Sequence, residues 1–460
     1  MRNHHHSPSL YQRQRARTRP VPRLLGAVIV ACAGAAYAAD APSSDAAAAP
    51  SAGISPFFDE ATLKLNARSF SGSQYVEDVV RRNAWTLNFQ LDYESGFTSG
   101  PVGFGADVSP FAGIKLEGSE NTGEFAYIRR DGSQDARSWV YLGKYEIKAR
   151  VGDTVAKYGL QAIATPIVEG RNNRGLLPTF RGVTLSSQVT PVLGVEAGSL
   201  DAVMARGRSY LQGLATDYGG VAIDRLTYAG ANWDYSSSGN LSVYVDNATN
   251  VWNQLYAGLS NAGGDPATMK WTGCASFYLT RDQGARREGR IDSKVYGLSM
   301  SATHRAYTAV LSYQRIASDQ FFDFVAEGGG SLPVSFVTDY NAPHEQAVQL
   351  RGVIDGQALG APGFQVMAWA SRGWGADATA LAGVYAADDS ALHTLYWKNG
   401  QPVHGRHGEL GINPSYLVQD GVFKNARFRF FAAIHRATAF YSDNKSRDYR
   451  LFVDMPLKLF

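Results

Sequence analysis

The chain has 460 residues, of which 18% are charged, 45% hydrophobic and 12% aromatic. Two cysteines exclude a disulfide scaffold, and 48 glycines with 18 prolines are far from a collagen-like composition. Residues 1–38 hold six arginines and no acid, so the formal +3 becomes 38 basic against 41 acidic residues, or −3, beyond them. That balance excludes a basic nucleic-acid binder.

Residues 1–38 read as a cleaved signal peptide: a basic start, an apolar run at 24–31, and Ala36-Tyr37-Ala38 before the cut. The run is too short to span a membrane as a helix. Residues 39–57 are rich in Ala, Pro and Ser and cannot bury a core, which predicts a flexible periplasmic leader. Residues 58–460 are expected to form one domain.

No run of 18 apolar residues follows residue 58. Period-two alternation recurs instead. Trp85, Leu87, Phe89, Leu91 and Tyr93 share one face, against Thr86, Asn88, Gln90, Asp92 and Glu94. Gly143, Tyr145, Ile147, Ala149 and Val151 alternate with Lys144, Glu146, Lys148 and Arg150. The pattern returns along residues 269–279 and 427–435. Such segments are strands with one apolar and one polar face.

Eighteen are predicted, at about 61–70, 84–97, 102–116, 139–151, 154–161, 180–189, 192–200, 226–235 and 240–247, then 252–260, 267–279, 294–303, 306–315, 347–354, 364–372, 408–418, 426–435 and 447–459. Long connections are expected at 71–83, 117–138, 162–179, 201–225, 280–293, 316–346 and 373–407. Short, turn-rich ones are expected at 99–101, 152–153, 190–191, 236–239, 261–266, 304–305 and 355–363.

An even strand count with loop length sorted by end is the layout of an outer-membrane barrel. The predicted fold is therefore all-β, a transmembrane antiparallel β-barrel of 18 strands with short periplasmic turns and long extracellular loops. Phe57, Phe58, Trp85, Phe97, Phe104, Trp139, Trp271, Trp369, Phe423 and Phe460 are expected in aromatic girdles. A last strand ending in Phe460 suits recognition by the barrel-assembly machinery.

Several stretches resemble the OprD-type family of outer-membrane porins. They are Ser95-Gly96-Phe97-Thr98-Ser99-Gly100-Pro101-Val102-Gly103-Phe104-Gly105, Lys157-Tyr158-Gly159, Leu176-Leu177-Pro178 and Val453-Asp454-Met455-Pro456-Leu457. The resemblance implies an 18-stranded barrel in a Gram-negative outer membrane, passing small water-soluble solutes that often carry a carboxylate. It also implies a basic ladder along the lumen.

With the apolar faces toward lipid, Lys64, Arg68, Lys144, Lys148, Arg150, Lys157, Arg351, Arg427, Arg429 and Arg450 point inward. Closure would set Arg427, Arg429, Arg450, Lys64 and Arg68 on one wall resembling that ladder. Loop 316–346 carries Asp319, Asp323, Glu327, Asp339 and Glu345 and no base. The resemblance suggests that it folds inward with loop 162–179, which carries Glu169, Arg171 and Arg174, as an acidic lobe facing the basic wall.

Tyr244, Tyr256, Tyr278, Trp369 and Phe431 are candidate stacking surfaces for sugars or aromatic rings. A channel for neutral sugars or chito-oligosaccharides is therefore an alternative to one for aromatic acids or amino acids. An outer-membrane barrel enzyme of protease or lipase type is a further alternative, though the histidines look scattered and no Gly-x-Ser-x-Gly elbow occurs. No catalytic residue, metal or cofactor is assigned. The expected partners are outer-membrane lipid, lipopolysaccharide, the assembly machinery and small solutes, with the protein a monomer or loose trimer.

Overall fold

A computed structural model describes residues 56–77, 80–118, 137–265, 268–387, 389–390 and 392–460. The signal peptide and most of the leader lie outside the described residues. A one-turn helix, Pro56–Asp59, precedes the first strand, so residues 56–57, expected in the leader, are helical. The Phe57 carbonyl accepts the Gly96 amide at 2.9 Å, which seats this helix on the turn after the second strand.

Eighteen barrel strands follow. They are β1 Thr62–Val76, β2 Val80–Glu94, β3 Gly103–Gly118, β4 Trp139–Val151, β5 Thr154–Gln161 and β6 Thr179–Thr190. Next come β7 Leu193–Met204, β8 Leu226–Ser236, β9 Gly239–Ala248, β10 Trp252–Asp265, β11 Met269–Asp282 and β12 Asp292–His304. The last are β13 Tyr307–Ala317, β14 Gln346–Asp355, β15 Phe364–Asp377, β16 His404–Leu417, β17 Arg427–Ala437 and β18 Ser446–Lys458. Each predicted segment has one counterpart.

Neighbours pair antiparallel, and β18 pairs with β1 from Lys458 opposite Lys64 to Ser446 opposite Val76. The sheet thus closes without an edge, which satisfies every ladder hydrogen bond where lipid offers none.

Burial is inverted relative to a water-soluble protein. Val140, Ile147 and Leu410 are 79%, 64% and 63% exposed on the outside, while inward Thr86, Gln314 and Asp448 are fully buried. The outside is an apolar band, and the polar faces meet side chains and loops within the lumen.

The differences from expectation have local causes. Residues 71–76 and 80–83, expected in a loop, are strand: β1 and β2 stay paired up to Val76 opposite Val80. Ser71-Gly72-Ser73-Gln74 lacks an apolar face, but strand tips beyond the lipid need only their ladder. The turn expected at 261–266 moves outward, because β10 runs to Asp265 and β11 starts at Met269. The short link 249–251 sits at the long-loop end. A bulge opposite Ser109/Pro110 turns Gly143 inward, where a Cβ would lie 2.2 Å from the Phe111 ring. Trp369 and Phe97 leave the girdle set: Trp369 is buried in the lumen, and Phe97 lies under Lys148 and Arg150.

The exposed face sets a stability test. Leu87→Arg or Leu410→Arg places a cation in the apolar band and is expected to cost about 2–4 kcal/mol in urea unfolding from lipid vesicles, if near the bilayer midplane. A cost below about 1 kcal/mol for both would contradict the face assignment.

Candidate functional site

The wall made by β17, β18 and β1 brings together the cations expected there. Register places Arg427 opposite Asp454, Arg429 opposite Phe452 and Phe431 opposite Arg450 on β17 and β18. Arg68 lies opposite Asp454 from the β1 side. Asp454 therefore accepts from both neighbours: Arg68 Nε at 2.5 Å and Arg429 Nη2 at 2.6 Å. The two guanidiniums flank the buried Phe452 ring at 5.6 and 4.7 Å. Arg450 Nε donates to Asp448 at 2.8 Å and sits over Phe431 at 5.0 Å. Lys64 shares the wall near the short-turn end, opposite Lys458. The wall thus carries these five cations and two carboxylates, Asp454 and Asp448, with Asp92 on β2 opposite Lys64; the role of Asp448 was not anticipated from the sequence.

The other inward bases are held differently. Lys144 pairs with Asp92, Lys148 with Asp107 and Lys157 with Glu146, each at 2.6 Å. Arg150 stacks over Phe97 at 4.4 Å beside the short turns. Arg351 is buried 5.9 Å from the centre of Phe336.

Among the described residues, loop 205–225 joins the two loops expected in the lumen. Loop 162–178 crosses to the basic wall: Arg68 Nη1 donates to Asn172 Oδ1 at 2.6 Å and to the Arg174 carbonyl at 2.9 Å. Gly175 fits because a Cβ there would lie 2.4 Å from Asn88 Oδ1. Loop 318–345 runs beside it, with the Glu169 amide donating to Gly328 at 2.5 Å and the Arg171 amide to Glu327 at 3.2 Å. Loop 205–225 is the third, and its Arg206 pairs with Glu327 at 2.5 Å and donates to Asn173 at 2.5 Å. Tyr278 on β11 ties two of the loops, donating to the Pro166 carbonyl and accepting the Ser331 amide, both at 2.9 Å.

Except for Asp319, the acids of loop 318–345 bind within this bundle instead of forming an open lobe. Asp323 accepts the backbone amides of Asp217, Tyr218 and Gly219 at 2.7–3.0 Å. Asp339 accepts from Arg171 at 3.2 Å and Tyr218 at 2.9 Å. Glu345 is fully buried and takes the Tyr441 hydroxyl at 3.0 Å. Asp319 lies exposed beside His344 at 2.9 Å. A count of charges could not reveal this, because the partners are backbone amides and residues of a distant loop.

The aromatic residues serve the same bundle. Phe336 from loop 318–345 stacks on Trp369 at 4.3 Å, and Trp369 packs on Phe431 at 5.2 Å. Glu409 accepts Trp369 Nε1 at 2.5 Å and the Val337 amide at 3.1 Å. Tyr244, Tyr256, Tyr278, Trp369 and Phe431 are all buried, so the expected open stacking surfaces are packing surfaces. Nor are the histidines all scattered: His407 Nδ1 lies 2.9 Å from His435 Nε2, behind Tyr441.

Charge within the bundle depends on pH. Burial opposes ionisation of Asp339, but Arg171, Ser335 and Tyr218 hold its carboxyl below the ordinary range. Burial pushes Asp217 up to about 7; Arg171 offsets part of this, while Asp323 and Asp339 add to it. A carboxyl raised on folding contributes stability that is complete below its unfolded pKa, about 3.9, and is lost as pH rises through the folded value. The loops should therefore loosen between about pH 4 and 7. Open-channel noise in single-channel records is expected to grow over that window and to flatten in Asp217→Asn; equal pH dependence in both proteins contradicts the assignment.

Comparison with known proteins gives consistent matches. The profile of the family described as "outer membrane porin, OprD family" matches residues 55–459. Porin D of Pseudomonas aeruginosa is 27% identical over 427 residues, covering 88% of this chain and 92% of that protein. The crystal structure of OccD3 (OpdP) from Pseudomonas aeruginosa superposes with a TM-score of 0.78 at 30% identity, over 89% of this chain and 94% of that one. That of OpdK from Pseudomonas aeruginosa with vanillate gives a TM-score of 0.77 at 25% identity, over 87% and 100%.

Proposed function

The chain belongs to the OprD family of outer-membrane porins, and on that premise we propose that it admits small carboxylate-bearing solutes guided by the β17–β18–β1 wall. It is a Gram-negative outer-membrane protein for the passage of small solutes. The observation that carries the finer reading is the excess of cations on this wall, five against Asp448 and Asp454, beside the loop segment 172–174. The bases of β4 and β5 that pair one-to-one with acids contribute less net field. A narrow, partly dehydrated path keeps the field of the wall from being fully screened.

An aromatic acid is favoured within this class. Arg351, Arg429 and Arg450 each lie over a buried aromatic ring, which braces these guanidiniums but offers no open stacking surface. The support for an aromatic acid comes from a relative, OpdK, whose solved structure holds vanillate. A neutral-sugar channel is less well supported, because the rings it would use are buried against loops. In this reading the protein conducts and does not catalyse.

Replacing Arg427 and Arg429 by Gln removes two charges and keeps hydrogen-bonding capacity. Benzoate flux into vesicles is expected to fall several-fold while flux of a neutral solute of similar size stays near its original value. Reversal potentials should move toward cation preference. Both effects should shrink as salt rises from 0.1 to 1 M, where the Debye length falls from about 10 to about 3 Å. Unchanged benzoate flux with an unchanged reversal potential would falsify the role of this wall.

A further inference from the structure

The outward face of the barrel carries a second set of cations, separate from the lumen. On β15, β16, β17, β18 and β2 the apolar outward run gives way, toward the long-loop end, to Arg372, Arg406, Arg436, Arg447 and Arg81. All five are exposed and stand on the same face as Leu410, Ile434, Leu451 and Trp85. Tyr75 on β1 lies between Arg81 and Arg447 in register.

Three arginines elsewhere on the outside are paired with acids, while Arg315 on β13 stands exposed and, among the described residues, alone, apart from this arc. Arg181 meets Asp201 and Arg287 meets Asp224, both at 2.8 Å, and Arg281 meets Asp292. Among the described residues, none of the five arginines on this arc has a carboxylate within 4.0 Å, the distance that defines those pairs. Between them a groove of about 400 Å3 is lined by Tyr75, Glu77, Arg436, Lys445, Ser446 and Arg447. Glu77, the acid lining the groove, is paired with Lys445 at 3.0 Å and not with Arg436 or Arg447.

Unpaired guanidiniums bordering hydrocarbon are costly without an anion to meet them. The long-loop end of such a barrel faces the outer leaflet. A phosphate monoester carries roughly −1.5 to −2 and suits bidentate guanidinium contacts. We infer that this groove holds a phosphate of the phosphorylated glycolipid of the outer leaflet, lipopolysaccharide. Arg436 and Arg447 would clamp the phosphate, Tyr75 would pack on the sugar, and Arg81, Arg372 and Arg406 would meet neighbouring anionic groups.

Native mass spectrometry of the full chain in non-ionic detergent tests this, using diphosphorylated lipid A, its dephosphorylated form and inorganic phosphate as probes. Wild type should retain diphosphorylated lipid A and little of the dephosphorylated form. Arg436→Gln with Arg447→Gln should weaken retention at least about tenfold, as expected for two lost charge-assisted contacts. Arg436→Lys with Arg447→Lys should keep part of it, and Arg281→Gln, on another part of the barrel, should leave it unchanged. Unaltered gel mobility before heating and unaltered conductance would show that the variant barrels are folded. Equal retention by wild type and the Gln pair, or equal retention of both lipid forms, overturns the assignment. Displacement of lipid A by equimolar inorganic phosphate also overturns it, since that describes a site for free phosphate.

Discussion

Lipid cannot hydrogen-bond to a peptide group, and the rest of this structure follows from that. The ladder must close, so β18 returns to β1. Closure with period-two side chains sends one face of every strand to lipid and the other to the lumen. Apolar residues therefore lie outside, and Thr86, Asp448 and Gln314 lie buried inside. A lumen lined this way is rich in donors and acceptors that need partners, and the infolded loops supply many of them.

Loops and wall are consequently one system. Arg68 shares Asp454 with Arg429 and also holds the loop at Asn172 and Arg174. Glu409 fixes Trp369 on the wall and Val337 on a loop. Tyr278 joins two loops through one hydroxyl. Wall and infolded loops thus rest on shared side chains, so a wall substitution also acts on loop position. Asn88, polar and inward, would be a poor site for a larger side chain because Gly175 packs against its amide.

The strands were legible because alternation is a local signal, and it is weakest along the short β5, Thr154–Gln161, where burial does not alternate. Their long-loop ends were not, since tips such as Ser71–Gln74 stand above the lipid and keep a ladder without an apolar face. The basic wall was legible once closure was assumed, because closure fixes which strands adjoin. What the loops do was not legible. Asp323 is spent on backbone amides about 105 residues away, and Arg206 reaches Glu327 across 121 residues. No spacing in the sequence encodes such meetings. Trp369 shows the limit of composition: an aromatic near a strand end reads as girdle, yet its parity along β15 places it inside, where it is buried.

The central claim is that charge on the solute, read by the wall, governs passage. Single-channel recording on the wild-type protein with benzoate and with benzamide tests it most directly, because the two differ little in size and shape but differ by one charge. The account predicts that benzoate interrupts the current in a voltage-dependent way at 0.1 M salt, within reach of a Debye length of about 10 Å, and that benzamide at the same concentration leaves it nearly unbroken. Equal interruption by both, or by neither, would contradict it.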